Sequence, residues 1–208
     1  MSFLNYDSPF MADVRKITDF VLLGLLWMMA SFPLFTFGAA TTAMYFTAHN
    51  VIHLHGGGLW KTFWSSFRKE FKQGTQLWLI GLLVTVPLAL NALLLWKVQL
   101  NDVVFALLLA TVLLGIGWMQ LWYGYLSKFE DKVGTVLINC FRIALVNLPK
   151  LLLMLIICAA AIAGAVLAFF YVFPVMALIP GIYAGFTGMV LRSIFKPYLS
   201  SEEQSSSQ

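Results

Sequence analysis

Charge is what this sequence has least of: Asp, Glu, Lys and Arg make up 11% of its 208 residues, against 61% hydrophobic. Soluble domains carry about 25% charged residues. Together with a mean hydropathy of +0.86, this excludes an ordinary soluble fold and reads as a polytopic membrane protein. Cysteine is nearly absent too. Cys140 and Cys158 form no CxxC pair and no metal-ligand spacing, and both read as packing residues. There is no GxxxxGK[ST] loop and no persuasive Ser/His/Asp or paired-carboxylate arrangement, so no catalytic residue is assigned, no cofactor is expected and the chain is read as not an enzyme. Away from their ends the apolar runs hold no Asp, Glu, Lys or Arg, which argues against a proton-coupled pump.

What charge there is has a pattern. The net charge of +4 comes from short basic clusters between apolar runs, which suits orientation in a bilayer and not nucleic-acid binding. Residues 1–16 form a cytoplasmic lead. Arg15 and Lys16 precede an apolar run, as in a signal peptide, but the run to Phe37 is long for one and Asp7, Asp13 and Asp19 stand before it, so the first helix is expected to stay. Uncharged stretches between Asp19 and Lys61 and from Leu151 to Leu191 are each too long for one crossing, and Pro33 and Pro174 mark their turns. The expected fold is all-α: a transmembrane bundle of six spans in three hairpins, near 17–35, 38–54, 76–96, 103–127, 151–172 and 175–194. Pro87 is expected to kink the third. Two cytoplasmic amphipathic helices are expected near 59–72 and 133–148. Residues 17–195 make one transmembrane domain and 196–208 a disordered cytoplasmic tail.

This threading puts 12 of the 13 Lys and Arg residues on one face, with Lys97 alone on the other, so both termini are expected in the cytoplasm and the protein in the cytoplasmic (inner) membrane. A five-span threading, in which 38–54 only re-enters, scatters the positive charge. Trp78 and Trp96, and Trp118, Trp122, Tyr123 and Tyr125, are expected at the membrane interfaces.

The segment 59–72 concentrates aromatic and basic residues at helical spacing. Trp60, Phe63, Trp64, Phe67 and Phe71 make an apolar stripe that is expected to sink to the acyl boundary. Lys61, Arg68, Lys69 and Lys72 cover the remainder and face anionic headgroups. The second such segment has a narrow polar stripe of Lys132, Thr135, Asn139 and Arg142, so it is expected to be mostly buried. Phe67-Arg68 and Phe141-Arg142 recur at an offset of 74, which raises an internal parallel repeat. Thr41, Thr42 and Asn91, with Thr85, Thr111 and Gln120, either line a polar path or bond helix to helix. His49, His53 and His55 lie close in sequence but have no neighbouring carboxylate or cysteine, so no metal site is assigned.

Gly38-Ala39-Ala40-Thr41-Thr42-Ala43, the run from Phe63 to Gln73, and Phe141-Arg142 with Asn147-Leu148-Pro149-Lys150 together resemble the YesL family of small bacterial membrane proteins. The resemblance runs from about residue 10 to 197. The family is mostly from Gram-positive bacteria and has no assigned biochemical activity. It tends to be encoded beside genes for carbohydrate uptake by ABC transporters and for polysaccharide breakdown. The resemblance therefore implies a role accessory to carbohydrate uptake. The 59–72 helix has the location and length either to dock on ABC permease or ATPase subunits or only to anchor on the bilayer, and Arg142 is a further partner or membrane-interface candidate. The histidines and Gly56-Gly57-Gly58 depart from the charged link common in the family. The alternative is an independent channel or carrier for a small neutral solute. Oligomeric state is not legible.

Overall fold

A computed structural model describes residues 9–53, 58–98, 102–171 and 177–205. Every regular element among them is helical: α1 (Pro9–Ser31), a 3-10 turn (Leu34–Thr36), α2 (Phe37–Thr47), a π-helical turn (Ala48–His53), α3 (Leu59–Val98), α4 (Asp102–Leu126), α5 (Val133–Val146), α6 (Leu148–Tyr171) and α7 (Leu178–Ser205). Among the described residues, four helices are long and apolar enough to cross a membrane: Leu59–Lys97, Val103–Leu126, Leu148–Ala168 and Leu178–Tyr198. The expected spans near 17–35 and 38–54 fall on α1 and the 11-residue α2, which are not among these four.

The expected break between the basic aromatic helix and the third span does not exist. α3 runs unbroken through Gln73-Gly74-Thr75 for 40 residues, about 60 Å of helix and twice the hydrocarbon thickness. Its surface changes character along its length. Lys61, Ser65, Arg68, Lys69, Lys72 and Gln76 are exposed before Trp78, and Leu79, Leu83, Leu90, Leu94 and Trp96 after it. The change falls near Trp78. At the 74-residue offset the second segment does break: α5 ends at Val146, capped by Asn147, and α6 restarts at Leu148-Pro149, because proline has no N–H to continue the ladder but suits a first turn.

α2 is the centre of the molecule. Gly38 to Tyr45 and Thr47 are all buried, enclosed by α1, α3, α4 and α7. Small residues let it seat closely on α3, where Gly38 meets Gly74. The aromatic stripe expected to face lipid is divided by this packing. Phe63 is fully buried, and Trp64 and Phe67 pack on the same core, Phe67 stacked on Phe63 and edge-on to Trp64, while Trp60 and Phe71 remain exposed. The stripe seats α2 because residues 59–78 present their polar side to water and need a protein partner for the other. Trp122, Tyr123 and Tyr125 are likewise core residues and not an interfacial belt; Met119 to Leu126 of α4 is buried on every side. Beyond this core the α3–α4 hairpin projects with lipid-type residues on both faces, and Thr85 meets Gly115 between them.

α5 is apolar on two sides. Val136, Cys140, Ile143 and Ala144 face the core, and Ile138, Phe141, Leu145 and Val146 are exposed. α7 continues through Pro197 to Ser205, beyond the point where a disordered tail was expected, since Glu and Gln extend a helix already started at little cost.

Candidate functional site

Among the described residues, a largely apolar cavity with a few polar groups in its wall opens beside the buried core. It has two adjoining lobes. The inner lobe, about 270 Å³, lies among α2, α3 and α4 and is lined by Thr41, Tyr45, Trp78, Thr85, Gln120 and Tyr123. The outer lobe, about 450 Å³, lies among α1, α6 and α7, lined by Met28, Ser31, Phe32, Ala161, Ile162, Ala165 and Pro180. Trp27, Phe37, Cys158 and Tyr183 border both.

The aromatic frame is held by hydrogen bonds between elements. Trp27 Nε1 donates to Thr41 Oγ1 at 3.2 Å, and Trp78 Nε1 donates to the Leu34 carbonyl at 2.8 Å. Phe37 stacks between these indoles, 5.4 Å from Trp27 edge-on and 4.6 Å from Trp78. Tyr45 OH donates to Tyr183 OH at 2.9 Å, tying α2 to α7. Three ring faces and two fixed phenols therefore surround a space without a formal charge.

Several expected polar groups are satisfied within their own helices. Thr41 Oγ1 donates to Phe37 O at 2.8 Å, Thr42 Oγ1 to Gly38 O at 3.0 Å and Thr85 Oγ1 to Gly81 O at 2.7 Å. Of these, Thr41 also accepts from Trp27, and Thr42 is sealed in the core away from the cavity. Asn91 is exposed on the projecting hairpin, donating to the carbonyl of the interior Pro87 at 2.8 Å; it neither lines the cavity nor bonds another helix.

Gln120 behaves differently. It is 6% exposed, lines the inner lobe, and neither its amide oxygen nor its nitrogen has a hydrogen-bond partner. Cys158 faces Gln120 and Tyr183, but a thiol is a weak partner and the geometry falls short of a hydrogen bond with the amide. The Tyr123 hydroxyl, on the same wall, is also unpaired. Leaving such groups buried and unpaired costs about 1–3 kcal/mol each, so the inner lobe holds unused hydrogen-bonding capacity beside aromatic faces. In sequence Gln120 stands out only as an amide in an apolar run, and Tyr123 was masked by its place in an aromatic cluster.

The expected interface residues gather elsewhere. Lys69 pairs with Glu130 of the α4–α5 loop, and its ammonium holds the Glu130 carboxyl below the usual carboxylate range. Tyr125 OH donates to Asp131 Oδ2 at 2.6 Å and accepts from Asn139 Nδ2 at 3.0 Å, while Lys150 Nζ donates to Ser193 O at 3.0 Å. Lys128 lies 5.9 Å from the centre of the Phe195 ring, and burial followed by the charge of Arg192 lowers its basicity. These contacts lock one end of the bundle. Trp60, Lys61, Trp64, Ser65 and Arg68 line a separate open groove on α3, and Lys72 and Arg142 are exposed. His49 and His53 lie in the π-helical turn, and His55 falls outside the described residues. Among the described residues, no group of three or more His, Cys, Asp or Glu side chains is placed to hold a metal.

No curated protein and no solved structure matches this chain. Residues 20–92, which contain most of α1, all of α2 and α3 through Ala92, match the family model described as "Protein of unknown function, DUF624", and in that part the chain is similar to a family without an assigned activity.

Proposed function

We propose that this chain is a non-enzymatic, multi-pass protein of the cytoplasmic membrane whose central cavity binds a small neutral solute for passage or presentation. The unpaired Gln120 amide carries the reading, because a buried amide with free donors and acceptor beside three aromatic faces suits an uncharged hydroxylated molecule. The lining offers no carboxylate, imidazole or ammonium for acid–base chemistry. The four long helices and a hairpin of α1 with α2 make up six passes with both termini inside. The sidedness does not depend on how deep that hairpin reaches, since a returning pair of helices restores the chain to the face it left. Flux of glycerol and xylitol from liposomes of the purified chain tests this. Flux that is saturable and lost in Gln120→Leu supports it, and leakage equal to empty liposomes for both solutes contradicts a carrier.

The accessory role implied by the family resemblance is the second reading. The exposed Trp60, Lys61, Arg68 and Lys72 along the polar half of α3 support it as a docking face for permease or ATPase subunits. Crosslinking in native membranes tests it. Transporter subunits recovered with the chain and lost in Arg68→Glu/Lys72→Glu favour it, and undiminished recovery sinks it. Lys69 is left intact because its pairing with Glu130 is structural.

A further inference from the structure

We infer that the cavity takes its ligand sideways from the bilayer, and that the ligand is a neutral amphiphile: a hydroxyl-bearing head in the inner lobe and a hydrocarbon tail in the outer one. The inference rests on the reading of the cavity as a ligand site and adds the class of ligand.

The two lobes differ in chemistry. The inner lobe has the unpaired amide of Gln120 and hydroxyl of Tyr123. The outer lobe offers one polar side chain beyond those shared with the inner lobe, Ser31, whose single hydroxyl is also unpaired. A free polyol resting in the outer lobe would leave most of its hydroxyls without partners, which is unfavourable. A hydrocarbon chain loses nothing there.

The outer lobe also opens towards lipid. α1 and α6 each pack on α7 without substantial contact between themselves, which leaves a gap floored by α7. Phe32, 89% exposed, and Ile162, 61% exposed, stand at that opening, and such residues are at home only in acyl chains. Across the gap Cys158, Ala161 and Ala165 form a low wall along α6 at helical spacing, so a linear chain can lie against it. The boundary between lobes is the aromatic frame of Trp27, Phe37 and Tyr183, which is where the polar head of such a molecule would end. The lining carries no formal charge to balance an ionised headgroup, and burying one unpaired is far more costly than burying a hydroxyl. The head is therefore uncharged.

The test uses the full chain in phosphatidylcholine vesicles with two photoreactive probes, a diazirine-bearing hexadecanol and the matched hexadecane. The expected result is labelling of the α6 segment around Ala161 and Ala165 by the alcohol at least about tenfold above the alkane at equal mole fraction, the equivalent of 1.4 kcal/mol. Gln120→Leu, or Tyr123→Phe should the first not fold, brings the alcohol down towards the alkane. Equal labelling by both probes, unchanged in either variant, overturns the inference, since the outer lobe is then merely a lipid-bathed surface. A saturable change in tryptophan emission on adding xylitol separates the two readings. If it saturates and depends on Gln120 while the probes fail, the cavity binds a soluble solute and only the amphiphile is wrong. If xylitol and both probes fail together, the cavity reading falls with it.

Discussion

Gly38 and Gly74 face each other so closely that a Cβ on Gly38 would stand 2.1 Å from the Gly74 carbonyl oxygen. The obstacle is backbone, which no side-chain rotation relieves. Gly38→Ala is therefore expected to destabilise the protein by about 1–3 kcal/mol, the range for overpacking, read as a lower midpoint of thermal unfolding in detergent. Gly188, in the middle of α7, has nothing within 4 Å of its would-be Cβ. Gly188→Ala is expected to be neutral or to gain up to about 1 kcal/mol from helix propensity.

Gln120 and Tyr45 predict opposite outcomes although both line the same cavity. Gln120→Leu removes two unpaired polar atoms, so the ligand-free protein should unfold at an equal or higher temperature while ligand binding is lost. Tyr45→Phe removes the donor that Tyr183 accepts at 2.9 Å and should cost about 1 kcal/mol. Unfolding curves of both variants check the pair.

The Lys69–Glu130 contact gives a pH dependence with a definite sign. Lys69 holds the Glu130 carboxyl below the usual carboxylate range. The stabilisation is therefore complete at neutral pH, above the unfolded value of about 4.3, and is lost as pH falls through the lowered folded value. Glu130→Gln should remove this component and make the acid-side loss of stability correspondingly smaller. Because both groups are exposed, the difference from the parent should also shrink in high salt.

Sidedness is checked by thiol labelling in intact cells. Lys97→Cys, at the end of the projecting hairpin, should react with a membrane-impermeant maleimide, and Lys61→Cys and Lys132→Cys should react only after the cells are opened. Reaction of Lys132→Cys from outside would reverse the proposed orientation.

The membrane class and the helical content are legible because they follow from composition and from uncharged runs. Which face of a span meets protein is not, because lipid and core select the same apolar side chains. Trp122 and Tyr123 therefore look like interface residues in sequence and prove to be buried. In the Trp60–Phe71 stripe, periodicity groups five aromatics on one face, yet nothing local says that Phe63, Trp64 and Phe67 pack on the protein core while Trp60 and Phe71 stay exposed. The continuity of α3 has a local cause: Gly74 alone does not stop a helix, whereas Pro149 at the equivalent place starts a new one. Gln120 is visible as an amide in an apolar run, but its lack of a partner depends on α2, α6 and α7 together. Asn91 looks equivalent in sequence and is not, because its amide is used by Pro87 on its own helix.

The central claim is that the Gln120 lobe is a ligand site. Its most direct test is a high-resolution structure of the full chain purified from its native membrane, inspected within hydrogen-bonding distance of the Gln120 amide and the Tyr123 hydroxyl. The account predicts extended non-protein density there, bonded to both groups and reaching past Trp27 towards Ala161. A lobe containing only isolated waters bridging Gln120 and Tyr123 would contradict it.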